Sequence, residues 1–477
     1  MENALTVRNL KTQFFIYEGV VKAIDDVSFE LKEGEVLGLV GETGCGKSVT
    51  AFSIMKLIPD PPGRIVNGEV FLGNLNIMKN VSKEARIIEG KRVKVKHFYS
   101  VIKKNEYFFN KIRGKYISMI FQEPMAALNP VYTVEDQIVE TLILHNKTNM
   151  LKIIKAASEH MEELKGMLEK GELSYSGDDY LGKEIQRIRE GNGGKESIKR
   201  HLELLIEEGS LYIRRKSKYE SMLARSEELD KLEERLLSNI TEEEQMEIIN
   251  ILSKETRKIN LIRMSKQLKR KVRDALLLEA RREALSLLES VEIPNAWGVL
   301  KLYPHELSGG MLQRVMISIA LANNPKILIA DEPTTALDVT VQAQILRLLR
   351  NLQDNLRTSI ILITHDLGVI AETCNRVAVM YAGNIVETAS TEELFMNPKH
   401  PYTIGLLQSI PRVDNPNKVL KSITGNVPNL LNPPAGCRFH PRCPFVFDKC
   451  RVEKPETIEV SPGHTVACHL FYGKGVN

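Results

Sequence analysis

A short apolar run, EVLGLV (Glu35–Val40), leads directly into GETGCGKS (Gly41–Ser48), and a helix-compatible run, KSVTAFSIMKLI, follows. Pro59, Pro61 and Pro62 then close that run. Strand, glycine loop and helix in this order, with the spacing G-x-x-x-x-G-K-S, leave few folds open. Glycines allow backbone N–H groups to turn inward around phosphate oxygens, and the following helix start adds partial positive charge. Lys47 is placed to reach β- and γ-phosphates, and the Ser48 hydroxyl to ligate Mg²⁺. Gly41, Glu42, Thr43, Gly44, Cys45, Gly46, Lys47, Ser48 and Val49 are therefore the expected phosphate loop, with Cys45 read as a small spacer whose backbone matters.

Such a loop needs a carboxylate for the metal and a group to orient water. ILIADEP (Ile327–Pro333) supplies both at the end of an apolar strand, where ligands collect in open α/β sheets. Asp331 is expected in the Mg²⁺ shell, and Glu332 as the general base. LITHD ends a further apolar strand with His365, positioned to contact a γ-phosphate. LSGGMLQRV places Ser308, Gly309 and Gly310 just before a helix, a second anion-binding helix start. One nucleotide does not require two such starts in one chain. Two chains facing each other do, if each lends its second start to the other.

The strands of 1–80 and of 325–400 are separated by helical stretches, which implies a mostly parallel α/β sheet. Between them lies a different composition. No proline occurs from Val131 to Ile293, and the segment is rich in Lys, Glu and Leu. Ile154, Ala157, Met161, Leu164 and Leu168 form an amphipathic stripe, and Met222, Leu229, Leu232 and Leu236 suggest another. Heptads are not sustained, so a helical hairpin or small bundle is expected, with GNGG (Gly191–Gly194) as a break. A chain of 477 residues is expected to hold two or three domains. A net charge of +4 does not point to nucleic acid, and no run of 18 apolar residues spans a bilayer. The start MENALTVRNL lacks a signal pattern, so the expectation is a cytosolic protein, or one attached to a membrane only through partners.

In combination these motifs resemble the ATP-binding subunits of ABC transporters, over residues 1–145 and 280–470. The resemblance implies an ABC-type P-loop fold: a RecA-like parallel sheet core, an antiparallel β edge and a helical subdomain. It makes Gln122, in FQEPMAALNP, the glutamine that touches Mg²⁺ and relays its state to membrane subunits. It makes LSGGM the signature, Asp338 in ALD the D-loop aspartate, and His365 the switch histidine. Phe14 or Tyr17 is implied to stack on adenine. RGKYISMIFQEPMAALNPVYTVEDQI, YPHELSGGMLQRVMISIALA, NPKHPYTIGLLQSIP and CRFHPRCPF together look like a dipeptide/oligopeptide importer ATPase, and Ser48-Val49-Thr50 like its "D"-type subunit. Implied partners are a homologous second ATPase subunit, two transmembrane permeases and an extracytoplasmic solute-binding protein, at the cytoplasmic face of the membrane. Related importers carry nickel or oligosaccharides, and a soluble non-transport ABC ATPase or a nucleotide-sensing scaffold are the competing classes.

By this reading the ATPase domain is 1–145 with 281–400, residues 147–280 are a helical insertion, and 401–477 form a C-terminal extension. The insertion is either a helical decoration or a partner-binding arm. Lys, Tyr and Phe mixed over 91–112 make either a solvated basic loop or a lipid-headgroup contact. Cys437, Cys443, Cys450 and Cys468 supply four thiolates, enough for one [4Fe–4S] cluster or one zinc ion. The long spacings and the family resemblance both favour the cluster.

Overall fold

The computed structural model describes residues 3–88, 94–175, 177–190, 194–238, 240–241, 243–252, 274–335, 338–409 and 423–472. Ala336 and Leu337 of ALD, residues 191–193 of GNGG, residues 253–273 of the central segment and the chain from 410 to 422 lie outside the described residues. Fourteen strands are described: β1 (Asn3–Ile16), β2 (Gly19–Lys32), β3 (Val36–Val40), β4 (Gly63–Leu72), β5 (Leu75–Asn76), β6 (Ala85–Ile88), β7 (Lys94–His97), β8 (Ile117–Ile120), β9 (Ile327–Asp331), β10 (Ser359–Ile363), β11 (Arg376–Tyr381), β12 (Asn384–Ser390), β13 (Ile458–Ser461) and β14 (His464–Val466). The chain divides into two compact units.

The first unit comprises residues 1–109, 116–122 and 326–477. Its main sheet runs β13-β14-β12-β11-β3-β10-β9-β8. Strands β11, β3, β10, β9 and β8 are parallel, and β12, β14 and β13 are antiparallel. Every residue of β3, β8, β9 and β10 is buried, which is why these strands read as unbroken apolar runs and not as alternating ones. A second, antiparallel sheet runs β2-β1-β4-β5. The helix after the phosphate loop spans only Lys47–Ile54, short of the prolines. The chain turns out at Lys56, at φ 50°, whose ammonium is drawn to Glu84 at 3.1 Å and Glu106 at 3.3 Å.

The chain's last strands belong to the same sheet, since β14 pairs with β12. A charged fastening accompanies the pairing. The Glu387 carboxylate accepts from the Lys399 and His400 N–H groups at 2.6 and 2.9 Å and contacts His464 Nε2 at 2.7 Å.

The second unit comprises residues 110–115 and 123–325 and is helical. Helices Lys147–Glu159, Met161–Lys170, Tyr180–Glu190 and Lys195–Arg214 enclose a core of Ile153, Ala157, Leu164, Leu181, Ile185, Leu202 and Leu205. The first amphipathic stripe is thus shared by two helices that break at His160. The second lies on the helix Lys216–Leu236, where Leu236 is buried and Met222, Leu229 and Leu232 are half-buried, and Tyr219, Ser226 and Glu233 are buried between them at the same 3- and 4-residue spacing. Polar partners hold these three inside: Tyr219 Oη bonds to Asp274 at 3.2 Å, Ser226 to Thr148 at 2.6 Å, and Glu233 accepts from Lys111 and Lys115.

Beside that apolar core lies a buried charge cluster. Arg282, 0% exposed, donates to Glu184 at 2.5 Å and to Glu279 through two nitrogens, with Glu208 Oε1 at 3.8 Å. Glu283 is also buried, so four carboxyls share one buried guanidinium and the half-exposed Arg187. Burial raises the Glu184 carboxyl, but Arg282 and Arg187 outweigh it and bring it down to about 2. Burial, with Glu279 beside it, holds Glu208 far above the ordinary carboxylate range. Both Glu208 oxygens lack a donor among the described residues, and a proton on one can bond to Glu279.

Arg282→Leu is expected to cost about 3–5 kcal/mol, because it leaves buried carboxylates unpaired. Glu208→Gln has the opposite sign. A carboxyl whose folded value is raised contributes stability fully below its unfolded value and loses it as pH rises. At neutral pH the Gln variant is therefore expected to be more stable than the wild type, with a gap that widens toward alkaline pH. Denaturant unfolding of the full chain across pH checks both, and a less stable Gln variant overturns the assignment of a neutral Glu208.

Candidate functional site

The site of the first unit lies at the C-terminal ends of β3, β9 and β10. Gly41 leaves β3 at φ 154°, and a Cβ there would stand 2.1 Å from the Met380 carbonyl oxygen. Gly46 has φ 105°, and its Cβ would meet the Ala23 carbonyl at 2.8 Å. Only glycine fits either place. Cys45 is fully buried, with its carbonyl accepting from Gly383 N–H at 2.8 Å. Burial raises its thiol despite Lys47, so it is an inert anchor. Thr43 and Gly44 are exposed at the crest of the loop, and Val49 is half-buried in the helix behind it.

Lys47 is buried, its ammonium donating to the Gly41 carbonyl at 2.7 Å and the Glu42 carbonyl at 3.2 Å. Ser48 Oγ donates to Asp331 Oδ1 at 3.1 Å, although 283 residues separate the two. A hydroxyl and a carboxylate in contact, both hard oxygen donors, fit a Mg²⁺ shell. Burial raises the Asp331 carboxyl, the Ser48 bond lowers it, and Glu332 raises it again.

Glu332 has φ 46°, uncommon for a residue with a side chain, and its N–H is held by the Ile363 carbonyl at 2.9 Å. Its carboxylate accepts from Gln122 Nε2 at 2.9 Å and Thr335 Oγ1 at 2.9 Å, and meets His365 Nδ1 at 3.2 Å. Burial pushes this carboxyl up, but the bonds to Thr335 and His365 prevail and hold it below its usual value. It stands as a carboxylate able to accept a proton. Thr335 was not expected here. Its signal in the sequence is only its position three residues after Glu332.

Asp338 caps the helix Val339–Leu356, accepting from Val341 N–H at 2.9 Å. Phe14 packs against Gly63, whose Cβ would lie 2.7 Å from its ring, while Tyr17 at the β1–β2 turn is 86% exposed. In the second unit Ser308 caps the helix Gly309–Leu321 through Met311 N–H at 3.4 Å, with Ser308 and Gly309 exposed and Gly310 half-buried.

Of the four tail cysteines, Cys450 and Cys468 are buried and Cys437 and Cys443 half-buried. Cys468 is pushed up to about 12, by burial first and then by Cys437, Cys443 and Cys450. Among the described residues no three His, Cys, Asp or Glu side chains are gathered as a metal-ion site. No described helix is long and apolar enough to cross a membrane.

The ABC transporter family model matches residues 24–335, and the model of the oligopeptide/dipeptide transporter C-terminal region matches residues 386–450. The chain is 35% identical over 475 residues to the oligopeptide transport ATP-binding protein AppD of Bacillus subtilis, covering 100% of this chain and 99% of that one. It is 35% identical over 471 residues to DppD, the dipeptide transport ATP-binding protein of the same organism, covering 98% and 95%. To OppD, the oligopeptide transport ATP-binding protein of Escherichia coli, it is 33% identical over 464 residues, covering 97% and 92%. Loop, carboxylate pair and full-length likeness agree: the chain belongs to the ATP-hydrolysing ABC transporter family, with the C-terminal region of its oligopeptide/dipeptide branch.

Proposed function

We propose that this chain is the ATP-hydrolysing subunit of a peptide importer, working at the cytoplasmic face of the membrane beside two permeases and an extracytoplasmic solute-binding protein. The observation that carries the reading is the convergence of Ser48 with Asp331 and of Gln122, Thr335 and His365 on Glu332. Lys47 leaves its loop carbonyls for the β- and γ-phosphates, and Ser48, Asp331 and Gln122 hold Mg²⁺. Glu332 takes the proton of the attacking water, and His365 senses the γ-phosphate. Tyr17, exposed where Phe14 is packed, is the better platform for adenine. Ser308, Gly309 and Gly310 serve the ATP of a second, homologous ATPase subunit, and Asp338 lies at that junction. The closing of two subunits over ATP drives the permeases, and hydrolysis, catalysed mostly by electrostatic stabilisation of the transferring phosphate, lets the subunits part.

Residues 147–280 are assigned as a helical insertion within the helical subdomain, supported by the bundle that the helices from Lys147 to Arg214 form, and 401–477 as a peptide-importer extension. Cys437, Cys443, Cys450 and Cys468 are assigned as ligands of a [4Fe–4S] cluster. Four soft thiolates in one module suit it, and the group would cross-link the module's loops.

Lys47→Ala is expected to weaken ATP binding by about a hundredfold or more, since it removes the charge that faces the phosphates. Glu332→Gln is expected to keep binding while turnover falls by about 10²–10⁴-fold. Binding calorimetry and phosphate release in the complex with the permeases test both, and unchanged turnover in either variant ends the reading. For the tail, protein purified without oxygen is expected to be brown, with visible absorbance that dithionite bleaches and that Cys450→Ser removes. A colourless, zinc-containing preparation excludes the cluster.

A further inference from the structure

Glu42 is an awkward residue for a loop that cradles phosphates. A carboxylate there repels the charge the loop is built to receive unless something neutralises it. Two residues of the C-terminal segment act on it. Tyr402, fully buried in the helix Pro401–Gln408, accepts the Glu42 backbone N–H on its hydroxyl at 2.9 Å. Arg442 forks onto the carboxylate, Nη1 to Oε2 at 2.7 Å and Nη2 to Oε1 at 3.1 Å.

Arg442 is not a casual surface pairing, for its side chain is only 5% exposed. Its remaining N–H groups donate to Tyr381 Oη at 3.3 Å, the Ile423 carbonyl at 3.3 Å and, from Nε, the Thr424 carbonyl at 2.9 Å. All five guanidinium hydrogens are therefore used, a set that lysine cannot reproduce. The Tyr381 and Tyr402 rings pack with centroids 4.6 Å apart, so both contacts to Glu42 rest on one aromatic support.

We propose that Tyr402 and Arg442 are positioning residues of the nucleotide site, which clamp Glu42 by its backbone and its carboxylate and so keep the first turn of the phosphate loop neutral and in place for ATP. The C-terminal segment is then part of the nucleotide-binding apparatus. This inference rests on the ATPase reading above, and its test separates the two.

Mg-ATP affinity is measured calorimetrically on the full chain for the wild type, Lys47→Ala, Arg442→Gln, Arg442→Lys, Glu42→Gln, Tyr402→Phe and the double variant Glu42→Gln/Arg442→Gln. Arg442→Gln is expected to bind about tenfold more weakly, because it leaves the Glu42 carboxylate uncompensated beside the phosphates. Arg442→Lys should fall on the same side. The double variant is expected to recover to within about threefold of the wild type, since no carboxylate remains. A merely structural Arg442 would show no such rescue. Tyr402→Phe, which removes one oxygen, is expected to weaken binding about threefold and reads the clamp even if Arg442→Gln does not fold. Wild-type affinity in Arg442→Lys and Tyr402→Phe, or a double variant no better than Arg442→Gln, overturns the clamp alone. A wild type whose affinity is indifferent to Lys47→Ala overturns the nucleotide site itself.

Discussion

The geometry of the first unit depends on how closely the chain passes the sheet as it leaves β3. At Gly41 the backbone runs so near the Met380 carbonyl of β11 that no side chain fits, and at Gly46 the Ala23 carbonyl imposes the same limit. These two steric exclusions fix the loop between β3 and the helix beginning at Lys47. The buried Cys45, bonded through its carbonyl to Gly383, pins the middle of the loop to the sheet. Only a loop held in this way aims backbone N–H groups and the helix start at a common point, which is what binding a polyanion requires.

Around that loop, charges are kept in the states their roles demand. Asp331 and Glu332 are consecutive carboxyls at one strand end, yet their surroundings push them apart. Asp331 sits deep, raised by burial and held by Ser48, while Glu332 is turned by its positive φ toward three donors that favour the carboxylate. Adjacent acids with opposite shifts are a recurring way for a protein to give one a metal to hold and the other a proton to take.

Much of this was legible in the sequence because the relevant elements are local. Short apolar runs that lead into Gly41, into Asp331 and, past Thr364, to His365 announce buried parallel strands and what stands at their ends. The interactions that were not legible are those that join distant segments. Nothing in HPYT or in CRFHPRCPF says that Tyr402 and Arg442 reach Glu42, some 360 and 400 residues away. In the helix Lys216–Leu236 hydrophobic periodicity marks only part of the inward face. Tyr219, Ser226 and Glu233 lie on that face too, buried because each finds a polar partner there.

The pairing of β14 with β12 has a consequence for colloidal behaviour. Without the last hairpin, β12 would be the terminal strand of a large sheet, offering a row of unpaired N–H and C=O groups to any other chain. With it, the sheet ends in the four-residue β13, too short to template further strands. A chain stopped before Ile458 would thus carry an adhesive border, and copies synthesised incompletely would tend to stick to one another even if their nucleotide loop were intact.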